Sequence, residues 1–155
     1  MAEQTNQQRW IRGKSVLELG CGLGLLGLVA AKCNARTVVL TDLPHCLPLV
    51  FQNLKINGYA TSANLEAKSN QETNIHVQKL YWGDPCDMAA VQRLENTFDL
   101  VILSEVFHWP GLDILEDDTR IPLLNTLLAL THVGSVVLLA YKHRVPLLFP
   151  FPPSR

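Results

Sequence analysis

The residues most able to do chemistry stand together between Ser15 and Gly27, in the run SVLELGCGLGLLG. One carboxylate, Glu18, closes a short apolar stretch. Gly20, Gly22 and Gly24 follow at every second position, and Gly27 comes three residues later. Glycines spaced this way let the backbone turn tightly and let a ligand approach with no Cβ in its path. A helix is expected behind the turn, from Leu28 to Lys32, and its first N–H groups are free to meet an anion or a polar ligand.

Two cofactors fit the glycines. Gly22, Gly24 and Gly27 satisfy the dinucleotide pattern GxGxxG, and Asp42 lies about 20 residues past Gly22, where that fingerprint wants an acid. Glu18, Gly20, Gly22 and Gly24 also read E-x-G-x-G-x-G. A carboxylate just before the turn repels a pyrophosphate and attracts an ammonium or sulfonium. Glu18 therefore favours S-adenosylmethionine, and NAD stays open as the alternative.

These groups need a scaffold that brings them to one place, and the flanking pattern supplies it. The Ser15–Leu19 run is a strand. RTVVLT, Arg36–Thr41, is a second, rich in β-branched residues and ending at Asp42. Leu47–Asn57 is a helix with Pro48 in its first turn, an apolar stripe of Leu47, Val50 and Leu54, and Gly58 as its stop. Residues 59–74 are small and polar and read as a loop. Ile75–Leu80 alternates as a third strand, and Asp87–Glu95 is a short helix. Phe98–Leu103 is apolar almost throughout, as in an inner parallel strand. Ile121–Leu130 is a strongly apolar helix begun by the acids and threonine at 116–119. Ser135–Tyr141 is a fifth strand.

Strands alternating with helices predict a doubly wound α/β fold with a mostly parallel, Rossmann-like sheet and right-handed crossovers. Ligand should then bind beyond the carboxyl ends of the strands. Glu18 with its glycines, Asp42, Trp82 with Asp84, and Ser104 with Glu105 all fall there. Four strand ends delivering polar or aromatic groups to one edge say more than any single motif.

Composition narrows the class. The chain has 155 residues, 48% of them hydrophobic and 17% charged, with a net charge of −1. That balance suits one domain with a core and offers no basic patch for nucleic acid. No apolar run reaches the ~18 residues of a membrane span. Cys21, Cys33, Cys46 and Cys86 form no C-x-x-C pair, so the expectation is no metal and reduced thiols in a cytoplasmic or nuclear protein. Trp10 and Ile11 are expected on the sheet edge.

The chain resembles a known family. Glu18–Gly24, the TDLP at Asp42, NLKIN, LYWGD and FDLVILSEVFHWP are similar to the seven-strand class I S-adenosylmethionine-dependent methyltransferases. Within these the chain looks most like the methyltransferase-like lysine methyltransferases (family 16). The resemblance implies that Glu18 and the backbone at Gly20, Gly22 and Gly24 hold the methionine end of the cofactor. It implies that Asp42 accepts from both ribose hydroxyls, that Trp82 lies against adenine, and that Ser104 closes the far side. Where the family has an Asp-x-x-Tyr type motif at the mouth of the methyl-transfer channel, this chain reads Glu105, Val106, Phe107, then His108. Glu105 and Phe107 are thus the candidate catalytic residues. The implied reaction is transfer of a methyl group to a lysine of a protein substrate. Neutralising a free lysine at pH 7 costs about 4.6 kcal/mol, so Glu105 is expected to position the amine, with the proton lost to water.

The resemblance covers roughly residues 13–144, read as the methyltransferase core, with 145–155 a proline-rich tail. The family has a further segment before its first strand, and a helix and two strands after its fifth. The expectation is a core without the two C-terminal strands, whose fifth strand is an exposed edge. An oxidoreductase binding NAD, or a shortened, non-catalytic cofactor-binding or interaction protein, are the alternative readings. The oligomeric state is not legible.

Overall fold

The computed structural model describes residues 10–59, 73–106 and 117–142. Five strands and four helices alternate: β1 (Ser15–Leu19), α1 (Leu25–Lys32), β2 (Thr37–Asp42), α2 (Leu47–Ile56), β3 (Asn74–Lys79), α3 (Pro85–Gln92), β4 (Phe98–Ser104), α4 (Asp117–Leu130) and β5 (Thr131–Ala140). The sheet order is β3-β2-β1-β4-β5, and every pairing is parallel. The chain steps outward from β1 to β3, then returns to the other side of β1. Such a reversal opens a crevice at the carboxyl ends of the strands.

Neighbouring residues on one strand face opposite layers. Val16, Val38 and Leu100 pack into a core with Ala30, Val50 and Leu54 on the α1 and α2 side. Leu17, Val39 and Val101 pack with Val91, Leu123 and Leu130 on the α3 and α4 side. Both faces are therefore covered, which is why the inner strands read as continuous apolar runs. Ile11 packs on the first core. Trp10, expected beside it, is exposed.

Element boundaries differ from expectation where a turn residue acts early. Helix α1 begins at Leu25, a turn before Leu28, because Gly24 at φ 75 ends the glycine turn and serves as the N-cap. Helix α3 begins at Pro85, because Asp84 accepts from the Asp87 N–H and Pro85 suits a first helical position. Strand β5 follows α4 directly. Phe98 pairs with Thr131, but Leu100 pairs with Val136, so the intervening residues bulge. Ser135 closes the bulge: its hydroxyl donates to the Phe98 carbonyl at 2.7 Å and accepts from the His132 N–H at 2.8 Å.

Among the described residues β5 pairs only with β4, and Val133, Val137, Leu138 and Leu139 are exposed. So are Ile121, Leu124 and Leu128 on α4. Phe107 and residues 145–155 lie outside the described residues. No described helix is long and apolar enough to cross a membrane.

Candidate functional site

Strand register sets the first layer of the site. Leu19 pairs with Thr41 on one side and Leu103 on the other. One step further along, Gly20, Asp42 and Ser104 therefore stand in one row. Asp42 also pairs with Lys79, and Ser104 with Ala140. The row runs along the carboxyl edge of all five strands, as the expected convergence of strand ends requires.

The glycine turn leaves β1 at Gly20 (φ 65) and passes through Gly22 (φ 55) to Gly24 (φ 75). All three angles lie in the left-handed region that favours glycine. A Cβ at Gly20 would meet Val106 at 2.9 Å, whereas one at Gly22 would meet open space. Gly20 is small so that the segment after β4 can close over the turn. The Asp42 carboxylate holds the turn to β2: Oδ2 accepts from the Gly22 N–H at 2.6 Å, and Oδ1 from the Leu43 N–H at 2.7 Å.

Glu18 lies beneath the turn rather than in it. It is buried, and its Oε2 accepts from the Gly27 N–H at 2.7 Å. Burial raises its pKa from 4.5 to about 7; the Gly27 N–H opposes that rise and the Asp42 charge adds to it. A cation placed nearby would favour the ionised form. The Cys21 thiol beside it is pushed up by burial, then by the charges of Glu18 and Asp42, so it stays protonated. All four cysteines are free.

A pocket of about 220 Å³ opens beside the row, lined by Gly20, Asp42, Leu43, Leu80, Tyr81, Trp82, Thr119 and Pro122. Of the residues singled out from the sequence, Gly20, Asp42 and Trp82 meet here. Gly24 backs onto Leu40 and Val50, and Glu18, Gly22 and Ser104 lie outside the lining. Sequence reasoning missed Leu43, Leu80, Tyr81, Thr119 and Pro122. Leu80 directly follows β3 and could have been marked with Trp82. Thr119 and Pro122 come from α4, with no local signal of their role.

Beyond Ser104 the chain makes a strained step. Glu105 adopts φ 55, rare for a residue with a Cβ. Its N–H donates to the Ala140 carbonyl at 2.9 Å, and its Oε1 accepts from the Lys142 N–H at 2.8 Å. The carboxylate thus ties the exit of β4 to the exit of β5. Strain of this kind gathers where a neighbouring structure demands one conformation.

Known proteins share the family and the fold of this chain. The protein N-terminal and lysine N-methyltransferase efm7 of Aspergillus fumigatus is 35% identical over 100 residues, covering 63% of this chain and 36% of that protein. A histidine protein methyltransferase 1 homolog of Rattus norvegicus is 32% identical over 144 residues, 84% of this chain and 38% of the relative. Histone-arginine methyltransferase METTL23 of Homo sapiens is 33% identical over 107 residues, 66% of this chain and 47% of the relative. The chain thus spans less than half the length of these relatives. A solved ribosomal protein L11 methylase from Lactobacillus delbrueckii superposes with a TM-score of 0.55 at 17% identity, over 86% of this chain and 53% of that one. The Trypanosoma brucei PRMT1 enzyme-prozyme complex with AdoHcy gives 0.55 at 21%, over 84% and 34%. At such identities the likeness is one of fold, the parallel Rossmann-like sheet of methyltransferases. The sequence model described as lysine methyltransferase matches residues 1–147, and the chain belongs to that family.

Proposed function

We propose that this chain is the S-adenosylmethionine-binding core of a methyltransferase that acts on a protein lysine. The observation that carries the reading is the meeting of Gly20, Asp42 and Trp82 around one pocket, with Glu18 buried below the turn. The residues fit the cofactor. Asp42 uses each carboxylate oxygen once, for Gly22 and Leu43, and about four lone-pair sites leave room for two ribose hydroxyls. Leu80 and Trp82 offer adenine an apolar wall. Glu18 supplies negative charge under the end of the site that takes the methionine ammonium, and Ser104 bounds it on the β4 side.

S-adenosylmethionine, when bound, supplies an electrophilic methyl group on a sulfonium. The chain's own work is placement. Val106 against Gly20 closes the turn toward the acceptor side. Glu105 follows on the same edge, and its carboxylate orients the incoming amine while water takes the proton. Phe107 belongs to the same acceptor segment in this reading. The named relatives act on lysine, histidine and arginine, so the shared chemistry is methylation of a protein nitrogen, and the family description selects lysine.

The test is calorimetry of the purified chain with S-adenosylmethionine, S-adenosylhomocysteine and NAD, followed by tritium transfer from labelled cofactor into lysine-containing protein. Binding of the first two without NAD is expected. Binding of NAD alone would replace this reading with an oxidoreductase.

A further inference from the structure

The turn that carries Trp82 is held from two sides by side chains that do not line the pocket. On one side stands Asp87 of α3, which is buried. Its Oδ2 accepts from the Tyr81 N–H at 3.0 Å, and its Oδ1 meets Lys79 Nζ at 2.8 Å. Burial pushes this carboxyl up, but Lys79 and the Tyr81 N–H outweigh it and keep it below its ordinary range. Asp84 completes the local set by accepting from the Asp87 N–H at 2.8 Å.

On the other side stands Thr126 of α4, fully buried. Its hydroxyl accepts from the Gly83 N–H at 2.8 Å and donates to the Pro122 carbonyl at 2.9 Å. Both capacities of the hydroxyl are used, so its direction is set. Gly83 adopts φ 78, and a Cβ there would meet Pro122 at 2.9 Å. Pro122 itself lines the pocket. The contact therefore fixes the wall from α4 and the wall from the Trp82 turn together.

We infer that Asp87 and Thr126 are positioning residues for the base end of the cofactor pocket, acting through the backbone of Tyr81 and Gly83 to hold Trp82 in place. The inference rests on the cofactor reading above. A buried N–H that loses its acceptor bears a desolvation cost unless the backbone moves to find another. Movement of this turn displaces the wall against which the base packs. Leu130 of the same helix is buried next to Thr131, which pairs with Phe98 at the start of β4, and serves as the control for packing away from the pocket.

The experiment uses the full chain with Trp10→Phe and Trp109→Phe, so that Trp82 is the single tryptophan and its emission can be excited selectively over that of the tyrosines. Thr126→Val removes the hydroxyl at nearly constant volume. It is expected to weaken S-adenosylhomocysteine binding about tenfold, to shrink the quench of Trp82 emission on binding, and to open Trp82 to acrylamide. Thr126→Ser restores all three, and Asp87→Ala reproduces the loss. Leu130→Ala lowers the melting temperature and leaves the affinity of the folded protein unchanged. Binding by Thr126→Val within twofold of the parent, or an equal loss in Leu130→Ala, overturns the inference. If the parent does not bind S-adenosylhomocysteine, the cofactor reading has failed. Acrylamide access to Trp82 in the ligand-free variants then still decides whether the clamp holds the turn.

Discussion

The Glu18 carboxylate meets the backbone nitrogen of Gly27 at 2.7 Å, and Gly27 has no space for a side chain. An added Cβ would overlap Leu40 Cδ2 and lie 3.0 Å from Glu18 Oε2 and 3.1 Å from Val38 Cγ1. The acid and the glycine together lock α1 onto β1 and β2. Leu40 and Val38 are wholly buried, so they cannot swing into solvent. Gly27→Ala is expected to cost about 1–3 kcal/mol by overpacking, against the small gain that alanine ordinarily brings to a helix. Urea unfolding of the two proteins measures the difference, and an equally stable variant would mean the core yields at this point.

Glu18 also gives the ligand-free protein a pH dependence. Its pKa is raised from 4.5 to about 7 on folding, so the folded chain holds this proton more tightly than the unfolded chain. The contribution to stability is complete below about 4.5 and is lost as pH rises through about 7. That loss is on the order of 3 kcal/mol. Glu18→Gln keeps an oxygen for the Gly27 N–H and should flatten the slope. Urea midpoints at pH 5, 6 and 7 give both slopes, and parallel slopes would assign the dependence to another group.

Asp42→Ala is expected to lower S-adenosylhomocysteine affinity about a hundredfold, as the loss of two hydrogen bonds to a charged group implies. The same carboxylate holds the Gly22 and Leu43 amides, so stability falls as well, by about 2 kcal/mol. Calorimetry and thermal melts on one preparation separate the two effects. Parent-like affinity would reduce Asp42 to a clasp for the turn.

Glu105→Gln keeps an acceptor for the Lys142 N–H and removes the charge. Methyl transfer should drop about tenfold, the size of a modest positioning effect, while S-adenosylhomocysteine affinity stays constant. Single-turnover transfer beside equilibrium binding tests this. A weaker affinity with unchanged transfer would move Glu105 from the acceptor side to the cofactor side.

Val133, Val137, Leu138 and Leu139 leave an apolar, exposed surface on β5, a template for unwanted pairing in the isolated chain. Val133→Lys should reduce concentration-dependent light scattering without lowering the melting temperature, because Val133 is fully exposed in the bulge. Scattering unchanged by the substitution would place the sticky surface elsewhere.

What the sequence by itself determined was the part written in near neighbours. Strand, glycine turn and helix follow from residues 15–32. Asp42 at the end of β2 follows from a β-branched run, and the parallel sheet from inner strands that are apolar on both faces. Each depends on propensity and local spacing, and none needed a distant contact.

Tertiary structure decided what those residues touch. Glu18 reads as a carboxylate for a cation, yet in the fold it accepts from the Gly27 amide above it, and burial is the main cause of its raised pKa, with the Asp42 charge adding to it. Gly83 meets Thr126 across 43 residues, and no spacing rule joins them. The bulge of β5 hangs on a serine reaching Phe98, and the left-handed turn at Glu105 on the end of β5 at Ala140 and Lys142. These features come from packing one element against another, where a single hydroxyl or missing Cβ chooses among local conformations of nearly equal energy.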